Sequence, residues 1–355
     1  MRWKGWGAGC VADPVQPISP EGARARVLVS GVTGYTGALS AWLVWRHPGL
    51  ELVRITGRSD QGRRLSQVYP RYEVPLEITA PDIEAFEQAE VGIVAYPHGA
   101  SAPVVAEMRG MGLSVVDLSA DFRLADLPTY ERYYGPHGAP ELLDGVVYGL
   151  PELNREEIRK AGLVAGPGCY PTAALLALAP LAEAGVIEDV VIDAKSGVSG
   201  AGRNGGETTS FVGVTENVTP YKPAGHRHRP EIIEKLDRLS PTGSGADHLT
   251  FVPHLVPVDQ GELVSCYVRT AGDLDQADLD RLYGARYDDE PFVNVVSSPP
   301  GMRDVRSTNR CHIQAVTGDD RVVVFSAIDN LWKGSASQAI QSLNLMLDME
   351  ETAGL

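Results

Sequence analysis

The chain has few cysteines and no pairs of them. Four are spread over 355 residues, Cys10, Cys169, Cys266 and Cys311, with no CxxC or CxxH spacing. That pattern excludes a disulfide framework and a zinc site, so no metal is expected and a reducing cytoplasm suits the chain. Basic charge is also short: 31 Lys and Arg stand against 46 Asp and Glu, a formal net charge of -15. Without a basic footprint, nucleic acid and an anionic membrane are not expected partners. No apolar run approaches the roughly 18 residues that a membrane helix needs. The opening "MRWKGWGAGCVADPVQPISPEGA" lacks the apolar centre of a signal peptide. Residues 1 to 23 read instead as a flexible extension or the product of an upstream start codon. Internal repeats and low-complexity segments are absent too.

What is present has a regular texture. The length predicts two domains, each able to bury its own core. From Ala25, "ARVLVS" reads as a strand, "GVTGYTG" as a turn and "ALSAWLVWRH" as a helix stopped by Pro48-Gly49. "ELVRITG", "EVGIVAYP" and "LSVVDLS" continue the strand series, with a helix between Ala100 and Met111. Strands alternating with helices predict right-handed crossovers and a parallel sheet, an α/β fold of Rossmann type. Beyond Cys169 the texture changes. "DVVIDAKSGVSG", "HLTFVPHLVPV", "GELVSCYVRT" and "RVVVFSAID" are strands separated by longer loops, and "PEIIEKLDRL" and "DLDQADLDRLYGARY" are helices. A mixed α+β domain over about 168–329 is predicted, following a first domain over 24–167.

In "GVTGYTG", Gly31, Gly34 and Gly37 lie between strand and helix. There small residues admit a pyrophosphate to the helix N-terminal N–H groups, with Thr33, Tyr35 and Thr36 alongside. The spacing is G-x-x-G-x-x-G rather than the usual G-x-G-x-x-G, and a plain tight turn is the competing reading. At the end of the second strand, Arg58 and Ser59 stand where an NAD site would carry an acid. Arginine suits a 2′-phosphate, which favours NADP, although Asp60 and a solvated basic loop speak on the other side.

"GPGCYPTAALLALAPL" sets Cys169 before an Ala- and Leu-rich run, at a helix N-terminus with Pro171 in the first turn. The helix dipole there would lower the thiol pKa and yield a nucleophile, and Gly166 and Gly168 would leave room beside the sulfur. Cys266 and Cys311 read as packing residues. A thiolate chemistry needs a proton-transfer partner. "YKPAGHRHRPEI" offers His226 and His228 in a loop before a helix whose first residue would be Pro230. Lys222, Arg227 and Arg229 crowd the pair with positive charge, which suits an anionic substrate better than a metal. Arg123, at the end of "DLSADFR", and Arg203, in the Gly/Ser-rich "SGVSGAGRNGG", read as holders of phosphate or carboxylate. His98 in "YPHGAS" fits either a cofactor pocket or a helix entry.

These motifs, in this order, resemble the N-acetyl-γ-glutamyl-phosphate reductase family of arginine biosynthesis. The likeness runs from about Ala25 to Leu355 through "GVTGYTG", "PHG", "DLSADFR", "YGLPELNR", "GPGCYPTA", "SGVSGAGR", "GHRHRPEI" and "AIDNLWKG". It implies a Rossmann domain carrying NADPH and completed by the C-terminal helix within 330–355, an inserted α+β domain for catalysis and subunit contacts, and a dimer or tetramer. It places the nucleophile on Cys169 and the general acid/base on His226, and it puts Ser199, Gly200 and Asn330, with Pro97 and Lys333, near the cofactor and active site. The implied reaction converts a small-molecule acyl phosphate to an aldehyde through a cysteine thioester. A related family reducing a carrier-linked aminoadipyl phosphate in lysine biosynthesis shares "DLSADFR" and "GHRH". From the residues alone, a thiol hydrolase, a nucleotide-sensing regulator and an acid-forming aldehyde dehydrogenase remain rivals.

Overall fold

The computed structural model describes residues 25–223, 225–241 and 248–355. Cys10 and the expected extension over residues 1 to 23 lie outside them. The first half builds one sheet from β1 (Ala25–Ser30), β2 (Leu50–Thr56), β3 (Ile78–Thr79), β4 (Val91–Val94), β5 (Ser114–Asp117), β6 (Val146–Tyr148) and β7 (Leu163–Ala165). Their order is β3-β2-β1-β4-β5-β7-β6, and every pair is parallel. The crossovers turn one way from β1 to β2 and the other way to β4, so a crevice opens above the C-terminal end of β1. β4 is buried at all four positions, as expected of a strand covered on both faces.

The second half builds a mixed sheet from β8 (Ile187–Gly197), β9 (Thr219–Pro220), β10 (Leu249–Val256), β11 (Glu262–Thr270), β12 (Val293–Val295), β13 (Cys311–Thr317) and β14 (Val322–Ile328). The order is β12-β13-β14-β11-β8-β10-β9, with antiparallel pairs around β11 and β14 and a parallel β8–β10 pair. One core joins the inner face of this sheet to the helix Cys169–Glu183 and to Tyr148 and Leu150 from the end of the first sheet. The chain then returns. Leu331, Ala336, Ile340 and Leu343, from the turn after β14 and the helix Ser337–Met346, are buried in the core beneath β1 and β2. The last helix therefore packs on the first sheet.

Two local readings change. The helix in "GHRHRPEI" is His228–Leu239, so it starts two residues before Pro230 and takes His228 as its first residue. Pro230 still falls in the first turn, where its missing N–H breaks no intrahelical bond. β13 and the short strands β3, β6, β7, β9 and β12 extend the two sheets beyond the strands predicted.

Candidate active site

The glycine turn closes by geometry that only glycine meets. Gly31 has φ of +90° and donates its N–H to Thr56 O at 2.8 Å, and a Cβ there would stand 2.6 Å from Ala95 O. A Cβ on Gly37 would collide with the Gly31 carbonyl. Gly34 caps the helix Tyr35–Arg46 without any side-chain hydrogen bond, which leaves the first N–H groups open to a ligand. Above this turn lies a cavity of about 730 Å³ lined by Thr33, Tyr35, Ser59, Pro97, Ser199 and Asn330, among others, and it ends at Cys169. Size, glycine cradle and free N–H groups fit a nicotinamide dinucleotide.

A second cavity of about 1050 Å³ meets the first at Cys169, Arg123 and His228, and is lined beyond them by His98, Lys222, His226 and Arg227. Cys169 is half-buried and opens the helix Cys169–Glu183 behind Gly168. The position matches the sequence expectation, but the electrostatics do not. Burial, followed by the buried carboxyl of Glu262, pushes the thiol well above its ordinary range; the opposing pull of the Tyr170 N–H and Arg123 is smaller. The expected lowering by the helix end is therefore outweighed by desolvation.

Arg123 is held flat by its own backbone neighbours: Nε donates to Gly166 O at 2.8 Å and Nη2 to Leu118 O at 3.0 Å. Its Nη1 lies 3.6 Å from Glu231 Oε2. Glu231, which sequence reasoning passed over, is the clamp of this corner. It is 1% exposed and accepts from Gly168 N at 2.9 Å and from Tyr148 OH at 2.8 Å. The signal was its place three residues into the helix after "GHRH", where an acid favours the helix N-terminus. Asp121 plays the same part for the opposite wall, accepting from Gly99 N, Ser101 N, Ala102 N and Tyr130 OH.

His226 is pushed down to about 4 by burial, then by Arg227 and Lys222. Its Nδ1 accepts the His228 N–H at 3.2 Å, so the neutral ring carries its proton on Nε2. The His228 ring lies against Gly168 and is held well below its ordinary value, again mainly by desolvation. Arg203 does not reach the second cavity. Its Nη1 donates to Thr33 O at 3.0 Å and pairs with Asp60 at 3.1 Å, which fastens the Gly/Ser-rich loop to the glycine turn and moves this residue from the substrate side to the dinucleotide side. Arg58 lies across the Tyr96 ring, 4.8 Å from its centroid, beside the first cavity but outside its lining; Ser59 and Asp60 line it. Asn330 spans two segments, accepting from Gly261 N at 2.8 Å and donating to Ser199 Oγ at 3.0 Å. Lys333 is wholly buried against Glu152 at 2.5 Å and lines neither cavity.

Two family models cover this geometry. Residues 26–161 match the semialdehyde dehydrogenase NAD binding domain and residues 169–330 the semialdehyde dehydrogenase dimerisation domain. The N-acetyl-γ-glutamyl-phosphate reductase of Desulforudis audaxviator is 46% identical over 345 residues, 93% of this chain and 97% of that protein. The chain belongs to the N-acetyl-γ-glutamyl-phosphate reductase family. Its reach is wide, since the Methanopyrus kandleri reductase is 45% identical over 92% of this chain and 96% of its own length. Solved structures extend the fold further. Aspartate semialdehyde dehydrogenase II of Vibrio cholerae, complexed with ASA, superposes with a TM-score of 0.70 at 17% identity, over 91% of this chain and 98% of that one. Members of the family are oxidoreductases, and the first sheet has the architecture of a nicotinamide-dinucleotide domain. Among the described residues no helix is long and apolar enough to cross a membrane.

Proposed function

We propose that the protein reduces N-acetyl-γ-glutamyl phosphate to N-acetylglutamate 5-semialdehyde and phosphate through a thioester on Cys169, with NADPH as reductant. The observation that carries this is the position of the Cys169 sulfur where the two cavities meet. A nucleophile there has a dinucleotide groove on one side and a cationic chamber on the other. The dinucleotide, held by the glycine turn with Ser59, Ser199 and Asn330 about it, would supply a hydride to the thioester carbon. Arg58 and Ser59 after β2 support the phosphorylated form of the dinucleotide.

The remaining chemistry belongs to the chain. Cys169 forms the S–C bond to the acyl carbon while the C–O bond to phosphate breaks, and phosphate departs with its electron pair. Arg123, fixed by Gly166, Leu118 and Glu231, holds the departing anion at a set place. His226, neutral with its proton on Nε2, donates to the substrate carbonyl oxygen as negative charge builds there, both in acylation and in the tetrahedral species that collapses to the aldehyde. The dimerisation-domain match supports a homo-oligomer, a dimer or tetramer.

The test is turnover of N-acetylglutamate semialdehyde with NADP and inorganic phosphate, followed by absorbance of the reduced dinucleotide. Activity that needs phosphate is expected, with NAD at least tenfold poorer in kcat/KM. Turnover without phosphate, or none, sinks the reading. Cys169→Ser is expected to abolish turnover while reduced dinucleotide still binds.

A further inference from the structure

The second cavity carries its cations in two places, and they differ in how far their charge is already spent. Arg123 lines both cavities beside Cys169, with Nε and Nη2 committed to backbone carbonyls and Nη1 facing Glu231. Arg227 and Lys222 line the second cavity alone. Neither has a carboxylate partner among the described residues, and Glu207, the one acid in that lining, pairs with neither.

Arg227 is half-buried and held in place. Its guanidinium lies over the Tyr134 ring, 5.3 Å from the centroid, and Nη1 donates to His98 Nε2. Tyr134 ends the helix Leu127–Tyr134 in the first half of the chain, and its ring meets His98 edge-on at 5.4 Å. Two rings from elsewhere in the chain thus fix the plane of one guanidinium, while its Nε and Nη2 find no partner among the described residues. Those two nitrogens form one edge of the group, spaced to meet both oxygens of a carboxylate. Lys222 is placed by strain. It has φ of +45°, a left-handed conformation that a lysine rarely takes. The flanking chain imposes it: Pro220 pairs with His254, Tyr221 N–H donates to Pro253 O at 3.0 Å, and Gly225 N–H returns to Lys222 O at 3.3 Å. Strain of this kind persists only where the surroundings over-determine it, and ligand clamps are one such place.

We propose that Arg227 and Lys222 form the subsite for the α-carboxylate of the substrate, with Arg227 setting the preference for an acid there. The proposal rests on the thioester reading and divides the substrate's charge between the two sets of cations. Phosphate is bonded to the carbon that Cys169 attacks, so its holder must stand beside the sulfur, as Arg123 does. The α-carboxylate is four carbon–carbon bonds further along, so its holder belongs to the second cavity and not to the junction. It is also the only ionised group that remains once phosphate has left. The thioester and the semialdehyde therefore depend on Arg227 and Lys222 for charge recognition, whereas Arg123 serves the phosphorylated end. A guanidinium already stacked and hydrogen-bonded loses little freedom when it binds, which suits it to the task better than a lysine alone.

Turnover of N-acetylglutamate semialdehyde is compared with that of its α-carboxamide, which keeps the shape and loses the charge. In wild type the acid is expected to be favoured by about 10- to 100-fold in kcat/KM, and in Arg227→Gln by no more than about threefold. The loss should fall on the KM for the semialdehyde, with the KM values for phosphate and dinucleotide kept. A role confined to bracing His98 and Tyr134 lowers turnover of acid and amide alike and leaves the preference standing, which overturns the proposal. Should Arg227→Gln not fold, Lys222→Met takes its place: a reduced acid preference is expected, and an unchanged one counts against the subsite. A second readout needs no turnover: calorimetric titration of the protein, with NADP bound, by N-acetylglutamate and by its α-carboxamide. Preferential binding of the acid that is lost in Arg227→Gln, in a wild type inactive on the semialdehyde, upholds the subsite and fells the thioester reading. Phosphate-dependent turnover without acid preference does the reverse.

Discussion

A histidine held near pH 4 behaves as a neutral donor across the whole neutral range, and this sets what His226 does. Burial, Arg227 and Lys222 all disfavour its charged form, so protonation is expected only as pH falls toward 4. His226→Asn is expected to lower kcat by about 10² to 10⁴ with little change in dinucleotide binding, and the ring in wild type should show no titration between pH 6 and 7 by NMR. A titration near 6.5 would show a solvated ring and remove it from the oxygen-donor role. At this scale the sequence was legible where a residue type carries its chemistry with it: Cys169 before an apolar helix, Arg123 past a strand end, the histidines beside arginines. Glu231 was not legible. It acts through partners 63 and 83 residues away along the chain. The thiol pKa was misjudged for a related reason, since the helix N-terminus is local and readable whereas burial is a property of the assembled core.

The helix that presents Cys169 contains its own flaw and its own repair. Pro180 has no N–H, which leaves the carbonyl of Leu176, four residues earlier, without its helical donor. Tyr287 OH supplies the missing bond, donating to Leu176 O at 2.5 Å, and Tyr283 OH donates to Ala177 O at 2.6 Å. Both tyrosines come from the helix Gln276–Tyr287 on the same face of the second sheet. Tyr287→Phe should orphan the buried carbonyl and cost about 1–3 kcal/mol, read as a lowered denaturant midpoint; an unchanged midpoint would mean that water satisfies the carbonyl instead. The glycine turn supports a matching prediction for function. Gly31→Ala must adopt φ of +90° with its Cβ against Ala95 O, so dinucleotide affinity should fall at least tenfold in a fluorescence titration. Elements were legible in sequence where periodicity was long, as in β8, β10, β11 and the helix Cys169–Glu183. Strands of two or three residues, such as β6 and β12, carry too few positions to show a period. The start of the helix at His228 was hidden because Pro230 is equally at home in the first or the third helical position.

Across the whole molecule, the two sheets and the returning C-terminal segment are joined by one buried ionic network. Lys333, in the turn after β14, meets Glu152 of the helix Pro151–Ile158 at 2.5 Å and Gln341 of the last helix at 2.8 Å. Gln341 continues to Glu351, which Arg155 joins at 2.8 Å, and Arg155 also pairs with Glu290 beyond the second-sheet helix. Burial alone would raise the Glu152 carboxyl, but the Lys333 ammonium outweighs it and leaves the group below its ordinary 4.5. The sign of the linkage follows. The unfolded chain takes up this proton at higher pH than the native one, so the stabilisation is complete above about 4.5 and is lost as pH falls through the lower native value. Lys333→Met leaves a buried, uncompensated carboxylate and should cost about 3–5 kcal/mol at pH 7. The deficit should shrink as pH falls, because Glu152 without its partner protonates readily and then adds little charge to the core. The double variant Lys333→Met, Glu152→Met should recover most of the loss, since neither charge then remains buried. Denaturant midpoints of wild type, single and double variants at pH 7 and pH 4.5 measure all three terms. A single-variant deficit that stays the same at both pH values would mean that Lys333 acts through packing against Phe292, 5.8 Å from its ammonium, rather than through Glu152.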